Sequence, residues 1–254
     1  MPRLRRTALR NLELAYPEKT LAERKAIADE VFRSIARLLA TFARFPQMNR
    51  KNIHEWIRYE GLEHYLEAKN SGRGVLVATA HLGNWELSAF AHALMTEPMH
   101  VMIRPLDDPA IDRLVEERRQ LSGNYLIVKW DGARGVLRAL RDNQAVGILI
   151  DQNTSPEEGV FVHFFGTQAC ANTAFAKIAA RTGAPVIPGF ALWSDQERRY
   201  ILRFYPPVNI TGNAEEDTQR IQQVLEQVIR EHPGQWLWIH RRWKTRPPGE
   251  PPIY

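Results

Sequence analysis

Hydrophobic positions follow helical spacing near the amino terminus and then gather into short runs separated by helical segments. Thr20 and Glu23 have the spacing of a capping box, and apolar residues recur every three or four positions after them, which predicts a helix over 20–45. The apolar run 75–79 follows two glycines and is typical of a buried strand. The same reasoning predicts strands at 99–104, 125–129, 145–151, 184–192 and 200–205, and helices at 85–95, 108–121, 134–141, 172–182 and 217–231.

Strands that alternate with helices of this length indicate an α/β fold, in which helices cover both faces of a mixed sheet. The chain has no internal repeat, low-complexity tract or long Gly/Ser linker, so we expect a single domain over residues 1–254. Residues 1–58 are predicted to form a helical, membrane-associating extension, and residues 59–254 the α/β core. Because sites in such sheets form where strands end in loops, residues that follow predicted strands are the first candidates for chemistry.

The composition excludes several classes of protein. Hydrophobic residues make up 44% of the chain and charged residues 25%, so the chain is not disordered as a whole. One cysteine, Cys170, excludes an intrachain disulfide framework and a cysteine-rich zinc module. No apolar run approaches the roughly 20 residues of a membrane span, and Met1 leads into arginines rather than a signal peptide. We therefore expect a soluble or peripheral protein with no metal and no cofactor.

The net charge of +5 is concentrated at both ends of the chain. Arginines crowd the first ten residues, and four basic residues near the end lie beside three tryptophans (Arg3, Arg5, Arg6 and Arg10; Arg241, Arg242, Lys244 and Arg246; Trp236, Trp238 and Trp243). Cationic side chains favour an anionic leaflet, and tryptophan favours the headgroup region, so an anionic membrane surface is one predicted partner. Two solvated basic ends would have the same composition. Nucleic acid is not expected, because the sequence has no helix-turn-helix, RNP or zinc-finger pattern.

The segment directly after the predicted strand 75–79 carries the first candidate chemistry. His81 is expected on a turn, Gly83 allows that turn to be tight, and Glu86 is expected on the first turn of the next helix. Glu86 would accept one ring N–H of His81 and raise the basicity of the other nitrogen, which could then take a proton from a substrate hydroxyl. Spacing alone also fits a surface ion pair or a satisfied core histidine.

Seven blocks of sequence together resemble one known family. The His81-Leu-Gly-Asn-Trp-Glu86 segment is similar to the H-x4-D/E signature of glycerolipid acyltransferases, in the form found in bacterial lipid A late acyltransferases. Six more blocks resemble that family in the same order. They are RNLELAYPE at 10–18, Arg104-Pro105, GILIDQ at 147–152, VFVHFFG at 160–166, APVIP at 184–188 and QWLWIHRRWK at 235–244.

This resemblance implies a glycerol-3-phosphate acyltransferase-like fold and transfer of a fatty acyl group from an acyl carrier protein or coenzyme A thioester. The implied acceptor is a hydroxyl of a membrane glycolipid such as a lipid A precursor, at the cytoplasmic face of the cell inner membrane. The resemblance places the catalytic pair on His81 and Glu86, and substrate contacts on Arg104 and Asp151, each at the end of a predicted strand. Arg104 would clamp a phosphate or stabilise an oxyanion, and Asp151 would hold that arginine or orient a sugar hydroxyl. Gln152 and Asn84 complete the expected binding set.

Family members usually have a membrane helix ahead of the RNLELAYPE-like block, and this chain starts almost at that block. We therefore expect either a peripheral protein, held by surface charge and aromatic side chains, or a single-pass protein whose helix is missing from this chain. Two other functions remain open at this stage. A non-catalytic lipid-binding protein would use the same surface without consuming thioester, and a hydrolase would use water as the acceptor in the same pocket.

Overall fold

The amino-terminal segment, residues 2–56, is mainly helical. The computed structural model describes residues 2–128 and 132–254 and begins with α1 (Pro2–Ala15) and α2 (Leu21–Ala43). The capping box is confirmed, because the Glu23 carboxylate accepts from the Thr20 N–H at 2.7 Å while the Thr20 hydroxyl accepts from the Glu23 N–H at 3.3 Å. A short 3₁₀ turn (Phe45–Gln47) and α3 (Ile53–Trp56) follow. The described residues before β1 are thus mainly helical, whereas residues 57 and 58, predicted as part of the extension, lie in β1; the sequence pattern gives no separate sign of α1.

Strands and helices alternate through the rest of the chain. The elements are β1 (Ile57–Glu60), α4 (Leu62–Asn70), β2 (Val75–Thr79), α5 (Trp85–Met95), β3 (His100–Ile103), α6 (Pro109–Gln120), β4 (Tyr125–Val128), α7 (Gly132–Arg141), β5 (Ala145–Leu149), β6 (Gly159–Phe164), β7 (Thr167–Asn172), α8 (Ala174–Thr182), β8 (Val186–Ser194), β9 (Arg199–Phe204) and α9 (Ala214–Glu231). The predicted strands are confirmed within a few residues; Lys129, the last residue of one of them, lies outside the described residues.

Within the described residues, seven strands form one mixed sheet in the order β1-β9-β8-β2-β5-β3-β4. The pairings are parallel except β8 with β9, which is antiparallel. β6 and β7 form a separate hairpin whose turn is made by Phe165 and Gly166, both at positive φ. The α/β class and the mixed sheet are confirmed. Because β2, β5 and β3 are neighbouring parallel strands, their carboxyl ends lie at the same edge of the sheet.

The amino-terminal helices pack against the carboxyl-terminal segment. Ala8, Leu12 and Tyr16 share a buried cluster with Trp236 and Trp238, which are 1% and 0% exposed, and with Trp243, which is fully buried. The expectation that these tryptophans lie in a lipid headgroup region is therefore wrong: their rings form core contacts, for example Trp236 with Trp238 at 4.6 Å between centroids. Among the described residues, no helix is both long enough and apolar enough to span a bilayer.

Candidate active site

Strand pairing places the two most important side chains next to each other. Thr79 of β2 lies opposite Leu149 of β5 in parallel register, and His81 and Asp151 each follow two residues later. The two side chains therefore leave the sheet at the same level. The Nδ1 atom of His81 lies 2.9 Å from Oδ1 of Asp151.

The turn that carries His81 is fixed by backbone contacts. Its carbonyl accepts from the Leu237 N–H at 3.0 Å, and the Gly83 N–H donates to the Gln235 carbonyl at 2.9 Å. Gly83 has φ of 64°, and a Cβ there would lie 2.0 Å from the Ala191 carbonyl oxygen. Only glycine fits such a close approach of two backbones. The carboxyl-terminal segment thus holds the imidazole in place.

Asp151 is almost fully buried and accepts three hydrogen bonds. Besides the His81 ring, its Oδ2 accepts from the His81 backbone N–H at 3.1 Å and from the Trp236 indole N–H at 2.9 Å. Burial by itself raises the pKa of Asp151, but the charge of His81 and these hydrogen bonds outweigh it and leave the pKa lowered. Asp151 is therefore ionised near neutral pH, and its imidazole partner carries the proton on Nδ1.

His81 is oriented as a base by this arrangement. Burial lowers the pKa of His81, yet the charge and hydrogen bond of Asp151 oppose it, and the net pKa is raised. Within residues 2–128 and 132–254, Nε2 of the ring has no hydrogen-bond partner, and the side chain is 17% exposed along a cavity wall. The Trp85 ring packs edge-on against the imidazole at 5.0 Å. Nε2 therefore has a free lone pair that points to accessible space.

Glu86 lies where the sequence predicts, on the first turn of α5, but its partner differs from the expected one. Its carboxylate accepts two hydrogen bonds from the Arg119 guanidinium of α6, at 2.9 and 2.6 Å. The expected hydrogen bond from the His81 ring N–H to Glu86 is wrong, because Nδ1 is bound to Asp151 instead. Glu86 acts on His81 through its charge, which raises the pKa of the imidazole, while Arg119 lowers it.

Replacement of Arg119 by methionine tests this electrostatic role. The loss of the guanidinium leaves Glu86 uncompensated, which raises the pKa of His81 further, so the acid limb of kcat/KM is expected to move to higher pH. The variant should also lose about 1–3 kcal/mol of stability, because a carboxylate that is only 13% exposed loses its partner. The double variant Glu86→Gln/Arg119→Met should return the acid limb to lower pH. An acid limb that stays unchanged in Arg119→Met would disprove the coupling.

His81 and Glu86 line a cavity of about 930 Å³. One part of its wall is polar and contains Arg119, Gln152 and Asn153 as well. Another part is apolar and is formed by side chains from β2, β3, β9, α5 and the residues just before β3. These include Val77, Phe90, Met99, Val101 and Phe204. Ligand cavities of this size combine an apolar wall with a few placed polar groups, and this wall suits a fatty chain.

The structure separates the other predicted site residues. Arg104 lines the cavity at its rim, with a side chain 68% exposed and 3.3 Å from Asp107. Its expected link to Asp151 is wrong, because Asp151 is buried and bonded to His81. Gln152 is exposed and lines the cavity. Asn84 is fully buried, and its side chain caps α5 by accepting from the Leu87 N–H at 3.0 Å, so a contact with substrate is not supported.

Three residues that support the site are not predicted by the sequence pattern: Arg119, Trp236 and His240. His240 accepts from the Asn153 backbone N–H at 3.1 Å and so supports the loop after β5. Burial lowers the pKa of His240 to about 4, which keeps the ring neutral for that role. Trp236 and His240 lie in the block QWLWIHRRWK, whose composition suggests a membrane contact rather than a role in the site. Nothing local pointed to Arg119, which reaches Glu86 from 33 positions away.

The basic ends of the chain meet in the folded protein. Arg3, Arg6 and Arg10 of α1 line a shallow cavity of about 340 Å³ together with Arg241 and Tyr254. Arg242, in contrast, is fully buried; burial lowers its pKa to about 10, and it donates to the Cys170 carbonyl at 2.6 Å. Of the carboxyl-terminal cations, Arg241 therefore contributes to the surface, whereas Arg242 lies in the core.

Comparison with known proteins identifies the family. The family profile described as "Bacterial lipid A biosynthesis acyltransferase" matches residues 1–245. This chain is a member of that family.

Individual relatives of this family member agree with the profile. The lipid A biosynthesis lauroyltransferase of Escherichia coli is 30% identical over 257 residues, which cover 100% of this chain and 83% of the relative. The lipid A biosynthesis myristoyltransferase of the same organism is 28% identical, covering 97% and 77% of the two chains. A lipid A biosynthesis acyltransferase of Haemophilus influenzae is 27% identical with the same coverage.

Proposed function

We propose that this protein transfers a fatty acyl group from a thioester to a hydroxyl of a lipid A precursor, with His81 as general base. The observation that carries the proposal is the imidazole itself: Nδ1 is bound to a buried, ionised Asp151, and Nε2 opens onto a cavity with an apolar wall. The names of the E. coli relatives support a lipid A precursor as acceptor.

This geometry supports the following reaction. Nε2 of His81 takes the proton of the acceptor hydroxyl while the oxygen attacks the thioester carbonyl carbon. The carbonyl oxygen becomes an oxyanion, and the imidazolium that forms is stabilised by the Asp151 carboxylate at 2.9 Å. The carbon–sulfur bond then breaks, and the imidazolium returns its proton to the departing thiolate. The products are an ester and a free thiol, and His81 is neutral again.

The remaining residues are assigned to binding. Arg104 and Gln152 at the rim of the cavity contact the acceptor, with Arg104 directed at a phosphate or at the oxyanion. The acyl chain lies along the apolar wall. The donor is an acyl carrier protein or coenzyme A thioester, and the protein works at the cytoplasmic face of the inner membrane. Arg119 holds Glu86 and keeps its charge beside the imidazole.

Mass spectrometry of lipids tests the function as a whole. The protein is incubated with lauroyl and myristoyl thioesters of acyl carrier protein and of coenzyme A, together with a purified lipid A precursor. We expect an ester product whose mass exceeds that of the precursor by one acyl group, in amounts equal to the thiol released. Release of free fatty acid at the same rate with and without acceptor would instead show a hydrolase. Absence of thioester consumption would show a binding protein.

A further inference from the structure

Helix α6 is exposed in an unusual way. None of its residues is buried, although some of them are large and apolar. Ile111 and Leu114 are 53% and 48% exposed, and Leu121, the C-cap residue, is 55% exposed. At 100° per residue, these three side chains fall within an arc of about 80° on one side of the helix. Large apolar side chains grouped in this way are not explained by packing inside the protein.

Two more exposed leucines lie in segments that contact α6. Leu106, 41% exposed, lies in the loop between β3 and α6, and Leu39, 59% exposed, lies on the last turns of α2. The end of α2 is held next to α6 by Arg118, which donates to the Phe42 and Ala43 carbonyls at 3.2 and 2.9 Å. We call Leu39, Leu106, Ile111, Leu114 and Leu121 the α6 face.

The opposite side of α6 is attached to the protein by polar contacts. Arg119 binds Glu86, and the Asp112 carboxylate accepts from the Leu106 N–H at 2.8 Å. Together with Arg118, these contacts hold α6 against α2 and α5. Exposed apolar groups that lie together and do not stabilise the fold mark a surface for another molecule.

The position and charge of the α6 face indicate which molecule it contacts. Leu106, Arg104 and Arg119 also line the active-site cavity, so the face borders the cavity mouth. Arg44 and Arg113 are exposed nearby, and neither pairs with a carboxylate among the described residues. Glu117 is exposed on the same side of α6 as Arg113, so the charge beside the stripe is mixed. A helix whose apolar stripe lies between polar flanks, at the mouth of a cavity, has the pattern of a helix in a bilayer interface, where exposed cations contact lipid phosphates.

We propose that the α6 face docks the protein on an anionic lipid bilayer and presents the mouth of the cavity to the membrane. The proposal rests on the proposed function in one respect, namely that the acceptor is a lipid that enters the cavity from the bilayer. Leu106 and Leu114 enter the headgroup region while Arg44 and Arg113 contact lipid phosphates. Arg104 lies at the boundary between the bilayer and the cavity.

Vesicle sedimentation tests the docking surface without any acyl transfer. The full chain is mixed with vesicles of phosphatidylethanolamine containing about one quarter phosphatidylglycerol. The variant Ile111→Glu/Leu114→Glu is expected to partition at least about tenfold more weakly than the wild type. Arg44→Gln/Arg113→Gln should weaken binding to these vesicles but not to vesicles of phosphatidylcholine alone. Unchanged partitioning of the double glutamate variant would overturn the proposal.

Leu21→Glu is the matched control. Leu21 is 54% exposed on the same helix as Leu39 but about 30 Å from the Phe42 end along the axis. It should bind vesicles as the wild type does, and an equal loss in this control would also overturn the proposal. The double glutamate variant should acylate acceptor dispersed in detergent normally but acceptor in vesicles slowly. A wild-type dimer that the double glutamate variant converts to monomer would instead identify the face as a contact between copies.

Discussion

His81→Ala is expected to lower kcat by about 10³, with little change in KM. The variant removes the group that takes the acceptor proton, and positioned general bases contribute on the order of 10² to 10⁴ in rate. The fold should survive, because the Asp151 carboxylate keeps its hydrogen bonds from the His81 backbone N–H and the Trp236 indole. Initial rates with saturating thioester, measured beside a thermal melt, check both parts.

The matched control for this prediction is His163→Ala. His163 is exposed on β6, and its contacts with Gln219 are made by its backbone N–H and carbonyl only. It should keep wild-type turnover. Turnover within a few-fold of wild type in His81→Ala would remove the proposed base from the mechanism.

Asp151→Asn is expected to lower kcat by about 10² to 10³ for a different reason. The amide is neutral and has an NH₂ that can donate to Nδ1, so the imidazole loses its preferred tautomer and Nε2 no longer carries the free lone pair. Loss of the carboxylate also lowers the pKa of His81 from its raised value. The acid limb of kcat/KM should therefore move to lower pH even though the maximum rate falls.

The pH dependence of folding stability tests the charge of Asp151 independently of activity. Asp151 has a lowered pKa in the folded protein, so its ionised form stabilises the fold above the unfolded pKa, about 3.9, and this contribution is lost as the pH falls through the folded pKa. Asp151→Asn should therefore lose less stability on acidification than the wild type. Asp142→Asn, which changes a carboxylate that is 54% exposed beside Arg141, should behave as wild type in rate and melt. Wild-type activity in Asp151→Asn would show that the buried carboxylate does not orient the base.

The sequence predicts the strands of the sheet except β1, but not the pairing between them. Apolar runs predict β2, which follows two glycines, and β5, and they place both His81 and Asp151 at strand ends. Their contact depends on the order β2-β5 and on the register of Thr79 with Leu149, which no local pattern encodes. Local sequence therefore predicts Glu86, which is nearer to His81 along the chain than Asp151 is, as the partner of the imidazole.

Burial was the second property that local patterns did not give. Tryptophans interleaved with arginines have the composition of a membrane contact, yet Trp236 and Trp238 pack against α1, and Arg242 is buried over the Phe164 ring at 5.2 Å. The carboxyl-terminal segment is instead the support of the active site, through the Trp236 indole and the Leu237 N–H. Several of the exposed apolar side chains lie instead on or next to α6, where they are interspersed with charged residues.

The central claim is that one ring nitrogen of His81 is held by a buried carboxylate so that the other can accept a proton. The most direct measurement is a titration of the nitrogen signals of His81 by NMR in ¹⁵N-histidine-labelled protein, assigned with His81→Ala. We expect the proton on Nδ1 in the neutral form, a pKa above the ordinary value of about 6.5, and the same pKa in the acid limb of kcat/KM. A neutral ring with its proton on Nε2, or an acid limb that does not follow the His81 titration, would contradict the account.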